Sequence, residues 1–420
     1  MSPFVTASLV ASLALCATPA EPHKTLLEWA RDTRAARLKG DLRAWLDSGS
    51  HALALAPDHP DLLISVARAN AALGQVKESL DLLRQAVNRG AGIDILRVPE
   101  FQKLPPSPDR EALIARAQKN LSPVARAQLF AIIPDATAAS EGIAFDPVSR
   151  RLFVGTTHGE ILQVHERGSV APFVPRATGL LQVLGLKVDA ERRLLWVVTA
   201  AFPDMLSSAA PKPDDGVSGV HAYRLNDGKL AEKYELDERP LLHAFNDLAL
   251  GRNGDAYVTD SAQAAVYRVQ AGKLEPFVRD EHLTLANGIA LAPDQKRLYV
   301  AHVEGISLVD VQTRKVQRLS VPADASVNSI DGLAYDAGDL IGVQSSPYLA
   351  RVVRISLTDD GRSVKRVTVV NARCPPEYSQ TTAAIAGDQV YVVAGAPAVD
   401  TAGSPLAKEP RPQIVRMPLK

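Results

Sequence analysis

The stretch Asn287 to His302, NGIALAPDQKRLYVAH, decides the fold. Two short runs of alternating apolar residues flank a turn marked by Pro293 and Asp294, which is the pattern of a strand, a tight turn and a returning strand. The unit is not alone. Its relatives are EGIAFDPVSRRLFVGT from Glu141, LGLKVDAERRLLWVVT from Leu184, NDLALGRNGDAYVTD from Asn246, DGLAYDAGDLIGVQ from Asp331 and TAAIAGDQVYVVAG from Thr382. Six copies spaced 41 to 62 residues apart fit the four-stranded blades of a β-propeller. The longest spacing is explained by an insertion, Pro203 to Gly219, within the second unit, expected as a loop near the channel mouth or at the bottom. Residues Val124 to Ile133 are expected to supply the strand that closes the ring with the last blade.

Before Ser122-Pro123 the periodicity is different. From Leu26 to about Lys119 apolar residues recur three and four apart, as on helices. At a 34-residue period, Leu63, Val66, Ala67, Gly74, Ser79, Leu83 and Ala86 occupy the large, small and turn positions of a tetratricopeptide-like repeat. Trp29, Gly40, Ala52 and Pro57 match one period earlier, and a degenerate third unit lies around Leu96 to Leu104. Such an array either grips a protein or peptide partner or simply packs on the propeller. The expected organisation is therefore an all-β six-bladed propeller, residues 123–420, preceded by a small all-α helical-repeat domain, residues 21–122.

Residues 1–20 read as an export signal. The apolar run Phe4 to Ala17 is too short to span a bilayer, and Thr18-Pro19-Ala20 offers small residues for cleavage. A periplasmic or secreted destination follows as an expectation. The two cysteines, Cys16 and Cys374, leave one thiol after cleavage and hence no internal disulfide. Lys plus Arg and Asp plus Glu balance at 47 each, which argues against nucleic acid as the partner, and no phosphate-cradling glycine loop is found.

Reading the first residue of each unit as a column gives Glu141, Leu184, Asn246, Asn287, Asp331 and Thr382. Near-symmetry places these at one level around the axis. Four are oxygen donors, a set that suits Ca²⁺, or another hard divalent cation, better than Zn²⁺. The segments SEGIAFDP, FNDLAL, LANGIALAPD and IDGLAYD resemble the metal-binding segments of the senescence marker protein/gluconolactonase family, and more distantly those of paraoxonases and bacterial lactonases. The resemblance implies Glu141, Asn287 and Asp331 as direct metal ligands, with Asn246 a ligand or a water-mediated substrate contact. It also exposes departures: Ala244 stands where regucalcin-type gluconolactonases carry an Arg, Leu184 where paraoxonases carry a His, and Gly332 where they carry a second Asn.

A Ca²⁺ so placed would polarise a lactone or ester carbonyl, and a general base is still needed. The second strand of each unit returns towards the metal face, so Thr157, His158, Asp260, His302, Gln344 and Ser345 are expected at the rim. His158, His302, Asp260 and Asp331 are the candidate catalytic bases. The competing expectation is a propeller that binds without turnover, with the metal pinning its inner strands.

Overall fold

A computed structural model describes residues 24–135, 139–203, 205, 212–373, 379–396 and 411–419. The export segment with Cys16, Cys374, and residues 204 and 206–211 of the insertion lie outside the described residues.

Six helices come first: α1 (Leu26–Lys39), α2 (Leu42–Leu55), α3 (Pro60–Ala72), α4 (Val76–Asn88), α5 (Pro99–Gln102) and α6 (Pro108–Leu121). Their ends follow from local chemistry. Thr25 and Glu28 form a reciprocal capping box at the start of α1, and Gly40, at φ 72°, ends it in the left-handed region. Asp41 caps α2, and Ser107 caps α6 ahead of Pro108. The small residues expected between paired helices, Ala52, Ala67, Ser79 and Ala86, are all fully buried. The third unit is degenerate, as its sequence implies. It holds only the one-turn α5, whose Phe101 fills the core before α6 packs against α4.

The remainder is six four-stranded antiparallel sheets. The innermost strands of blades one to six are Ser140–Phe145, Gln182–Asp189, Phe245–Leu250, Ile289–Leu291, Ile330–Asp336 and Ser379–Ala386, and successive ones touch around the ring. Blade six is closed from both ends of the domain: Gln128–Ile132 pairs with Gln413–Pro418 as its outermost strand. The closing strand thus lies where the sequence places it. Between blades one and two, Arg193 donates both terminal nitrogens to the fully buried Asp146, at 2.8 and 2.7 Å. That double hydrogen bond holds the Asp146 carboxyl well below the usual carboxylate range against the penalty of its burial.

Register explains how the ring is packed. In five of the six blades the pairing of the two inner strands skips two residues near the start, as between Ser140 and Ile143, Phe245 and Leu248, and Ile330 and Leu333. The two skipped residues are Glu141-Gly142, Leu184-Gly185, Asn246-Asp247, Asp331-Gly332 and Thr381-Thr382. Asn287-Gly288 takes the corresponding place just ahead of its short strand, with Asn287 N and Gly288 O both bonded to Ala301. Blade six corrects the sequence alignment by one position, since Thr381 and not Thr382 is the register equivalent of Glu141. The second member of each pair abuts the next blade. A Cβ on Gly288 would sit 2.6 Å from Asp331 O and Leu333 N, and one on Gly332 2.6 Å from Thr382 Cα, so only glycine permits this approach.

Candidate metal centre

Each innermost strand starts on what we call the upper face, and each second strand returns to it. The first skipped residues therefore stand together at the upper mouth of the axial channel. Glu141, Asn246, Asn287 and Asp331 are each partly exposed, between buried neighbours on the strands that carry them. Asn287 Nδ2 donates to Asp331 Oδ1 at 2.8 Å. Asn246 Nδ2 donates to Ser261 Oγ at 3.2 Å, and that hydroxyl donates to Ala286 O at 2.5 Å, tying blade three to blade four. The backbone carbonyl of Glu141 accepts from the hydroxyls of Thr381 and Thr382, which fixes blade six against blade one.

The electrostatics of this ring are unfavourable without a cation. Burial, and then the charge of Asp331, push the Glu141 carboxyl up to about 8. Burial also lifts Asp331 to about 6; hydrogen bonds from Asn287 and Ser345 oppose this, and the charge of Asp247 adds to it. Asn287 Oδ1 is buried and has no hydrogen-bond partner. Two carboxylates driven towards protonation and one orphaned amide oxygen, all at one mouth, are what a hard divalent cation would satisfy. Among the described residues there is no group of three or more His, Cys, Asp and Glu able to hold a metal.

The expected rim bases divide. His158 lies at the mouth of blade one, half-buried, with Nδ1 3.1 Å from Asp135 Oδ2. His302 does not rim the entrance. It is 3% exposed, its Nδ1 accepts from Glu304 N at 3.2 Å and its Nε2 lies 2.8 Å from Ser307 Oγ, while burial pushes its imidazole down to about 3. Asp260 is likewise enclosed. One oxygen accepts from Ala244 N, Ala262 N and Gln263 N, and the other is 2.6 Å from His243 Nδ1. Strand alternation is the reason. Asp260, His302 and Gln344 occupy equivalent positions and turn into the blade packing, whereas the following residues, Ser261 and Ser345, meet Asn246 and Asp331.

Beneath the mouth are two residues that reading only the first column overlooks. Asp247 takes the second place of its pair, where Gly142, Gly185, Gly288 and Gly332 stand. Two positions further along each strand the column runs Ala144, Lys187, Ala249, Ala290, Ala334 and Ala384, so one lysine interrupts five alanines. Of the three exceptions in these columns, Asp247, Thr382 and Lys187, two meet: Lys187 Nζ is 3.1 Å from the buried Asp247 Oδ1. The alanine ring and Lys187 line a cavity of about 290 Å³ along the lower channel. The signal was present as paired departures from neighbouring columns.

In sequence no curated protein matches the chain significantly. Among solved structures, the PQQ-bound aldose sugar dehydrogenase of Streptomyces coelicolor is 15% identical, covering 71% of this chain and 99% of that one at a TM-score of 0.46. A luciferin-regenerating enzyme is 14% identical over 71% and 95% of the two chains, TM-score 0.47. Virginiamycin B lyase of Staphylococcus aureus is 14% identical over 70% and 99%, TM-score 0.46. Likenesses at this level carry no information on substrate. Residues 139–376, which contain all four oxygen-donor positions of the mouth, match the family described as SMP-30/Gluconolactonase/LRE-like region, and the chain belongs to that family.

Proposed function

We propose that the chain is a divalent-cation-dependent hydrolase of a lactone or related ester, with Ca²⁺ the cation its oxygen donors suit best. The observation that carries the reading is the repelling pair Glu141 and Asp331 beside the orphaned Asn287 Oδ1. Glu141, Asn287 and Asp331 would hold the cation, with Asn246 completing the ring. When bound, such a cation supplies Lewis acidity to a carbonyl oxygen. The chain's own groups do the rest. Asn287 orients the Asp331 carboxylate through its amide hydrogen, and the Ser261 hydroxyl orients Asn246. Asp331, oriented by Asn287 beside the cation position, is the candidate to take a proton from an attacking water. His158 is the remaining rim base. Ala244 offers no charge complement to a sugar acid, and Leu184, which takes the first place of its pair in blade two, favours a less polar ring substituent.

A lactone and aryl-ester panel, assayed with Ca²⁺, with chelator and with Asp331→Asn, tests the reading. Chelator-sensitive turnover that the substitution abolishes is expected; uncatalysed rates throughout would sink it. The enclosure of His302 and Asp260 favours the second reading, a propeller that binds a small molecule without turnover. Calcium binding with no turnover of any panel member would select it.

A further inference from the structure

The helical unit touches the propeller only through upper-face segments among the described residues. In blade five, Gly92 N donates to Tyr348 O at 2.9 Å, Ser346 Oγ donates to Asp61 Oδ1 at 2.7 Å, and the Tyr348 ring is buried within the helical core. Ser345, the next residue back along this segment, supports Asp331 at the mouth. In blade four, Arg318 reaches Asp58 at 3.4 Å. In blade five Arg373 Nη2 also donates to Gly92 O at 3.4 Å, and a further contact is on the other side of the ring: Arg31 of α1 donates from Nε to Met205 O at 2.6 Å. Met205 belongs to the insertion that leaves the second strand of blade two on the upper face. In a ring of six, blade two is diametrically opposite blade five. A body seated on blades four and five that also holds blade two crosses the axis.

We infer that the helical unit roofs the channel mouth, so that the site beneath admits small molecules from the side and excludes polymers. The span is adequate, because a 14-residue helix such as α1 is about 21 Å long. Contacts to blades two, four and five leave blades one, three and six without a contact to the helices among the described residues; blades one and six adjoin and form the wider open arc, and His158 and Glu141 stand on blade one. A cavity of about 390 Å³ also remains between Asp58 and Arg89 of the helices and Glu304 and Asn328 of blade four. The inference assigns the helices to substrate access and requires no peptide groove. It takes the mouth as the working end but does not depend on a metal or on turnover.

Cysteine accessibility in the full chain tests it directly. In a Cys16→Ser, Cys374→Ser background, Ser345→Cys reports on the mouth and Lys273→Cys on an exposed surface remote from it. N-ethylmaleimide should label both. A 5 kDa polyethylene-glycol maleimide, scaled to the small reagent, should label Ser345→Cys about 100-fold more slowly than Lys273→Cys. Adding Arg31→Ala, which frees the end of the roof held at the blade-two insertion, should recover at least tenfold of that rate, with folding checked by circular dichroism. Equal labelling of the two cysteines by the large reagent would overturn the roof. Slow labelling that no release variant accelerates would do so too, because channel depth alone would then be the barrier.

Discussion

Replacing Asp331 by Asn removes one charge from the mouth while keeping the shape and an oxygen that can accept from Asn287. In the metal-free wild type both Glu141 and Asp331 have folded-state proton affinities above their ordinary values of 4.5 and 3.8. The folded protein therefore binds more protons than the unfolded chain between about pH 4 and 8, so this contribution to stability is present at acid pH and lost as pH rises through about 6 and then about 8. Burial is the larger cause of the displacement of Glu141, and repulsion by Asp331 the smaller. Each tenfold change in proton affinity is about 1.4 kcal/mol, so the repulsion is worth on the order of 1–2 kcal/mol. Metal-free Asp331→Asn removes that repulsion and also the cost of Asp331's own displaced ionisation, about 3 kcal/mol for a rise from 3.8 to about 6, so it should be more stable than metal-free wild type at pH 8 by a few kcal/mol, and indistinguishable from it near pH 4. Saturating Ca²⁺ should reverse the order at pH 8. Thermal melts across pH with chelator or Ca²⁺ measure this, and differences between the two proteins cancel all other titrating groups. A wild-type minus variant difference that does not change between pH 4 and 8 would refute the repelling pair.

Two further outcomes concern the frame around the mouth. Lys187→Met leaves Asp247 buried and unpaired and should cost about 3 kcal/mol in urea unfolding, whereas Lys187→Ala with Asp247→Gly restores the ring pattern of the other blades and should recover most of it. Arg193→Ala strips the buried Asp146 of its bidentate partner, with an expected loss of about 2–4 kcal/mol, and hydrogen exchange should show the opening localised between blades one and two.

The six blades and their closing strand are legible in the sequence because strand alternation and turn residues repeat with little drift, as NGIALAPDQKRLYVAH shows against EGIAFDPVSRRLFVGT. The one-residue slip in blade six has a physical cause. In TTAAIA small residues fill every position but Ile385, so little contrast between large and small sets the phase. The four oxygen donors of the mouth could be found because each opens its unit. The bases could not, because whether Asp260 or Ser261 meets the channel depends on the two residues skipped by the inner strand, a shift that strand propensity does not encode. The covering of the mouth by α1 was equally hidden, since Arg31 and Met205 are brought together by tertiary packing alone.

The way blade six is closed makes the site dependent on the order of synthesis. Its third strand, Gln413–Pro418, bridges the two strands before it and Gln128–Ile132, made almost three hundred residues earlier. Until that hexapeptide leaves the ribosome, Gln128–Ile132 has no partner and blade six has only two strands, so the Thr381 and Thr382 hydroxyls that bond the Glu141 carbonyl stand on a half-built sheet. Glu141 on one side of the gap and Asp331 on the other are then not held on a common circle, and a nascent chain cannot assemble the mouth early. Competence at the mouth arrives in one step, with the last strand, and a chain cut short before Gln413 keeps its helices and five blades but has no closed circle to roof.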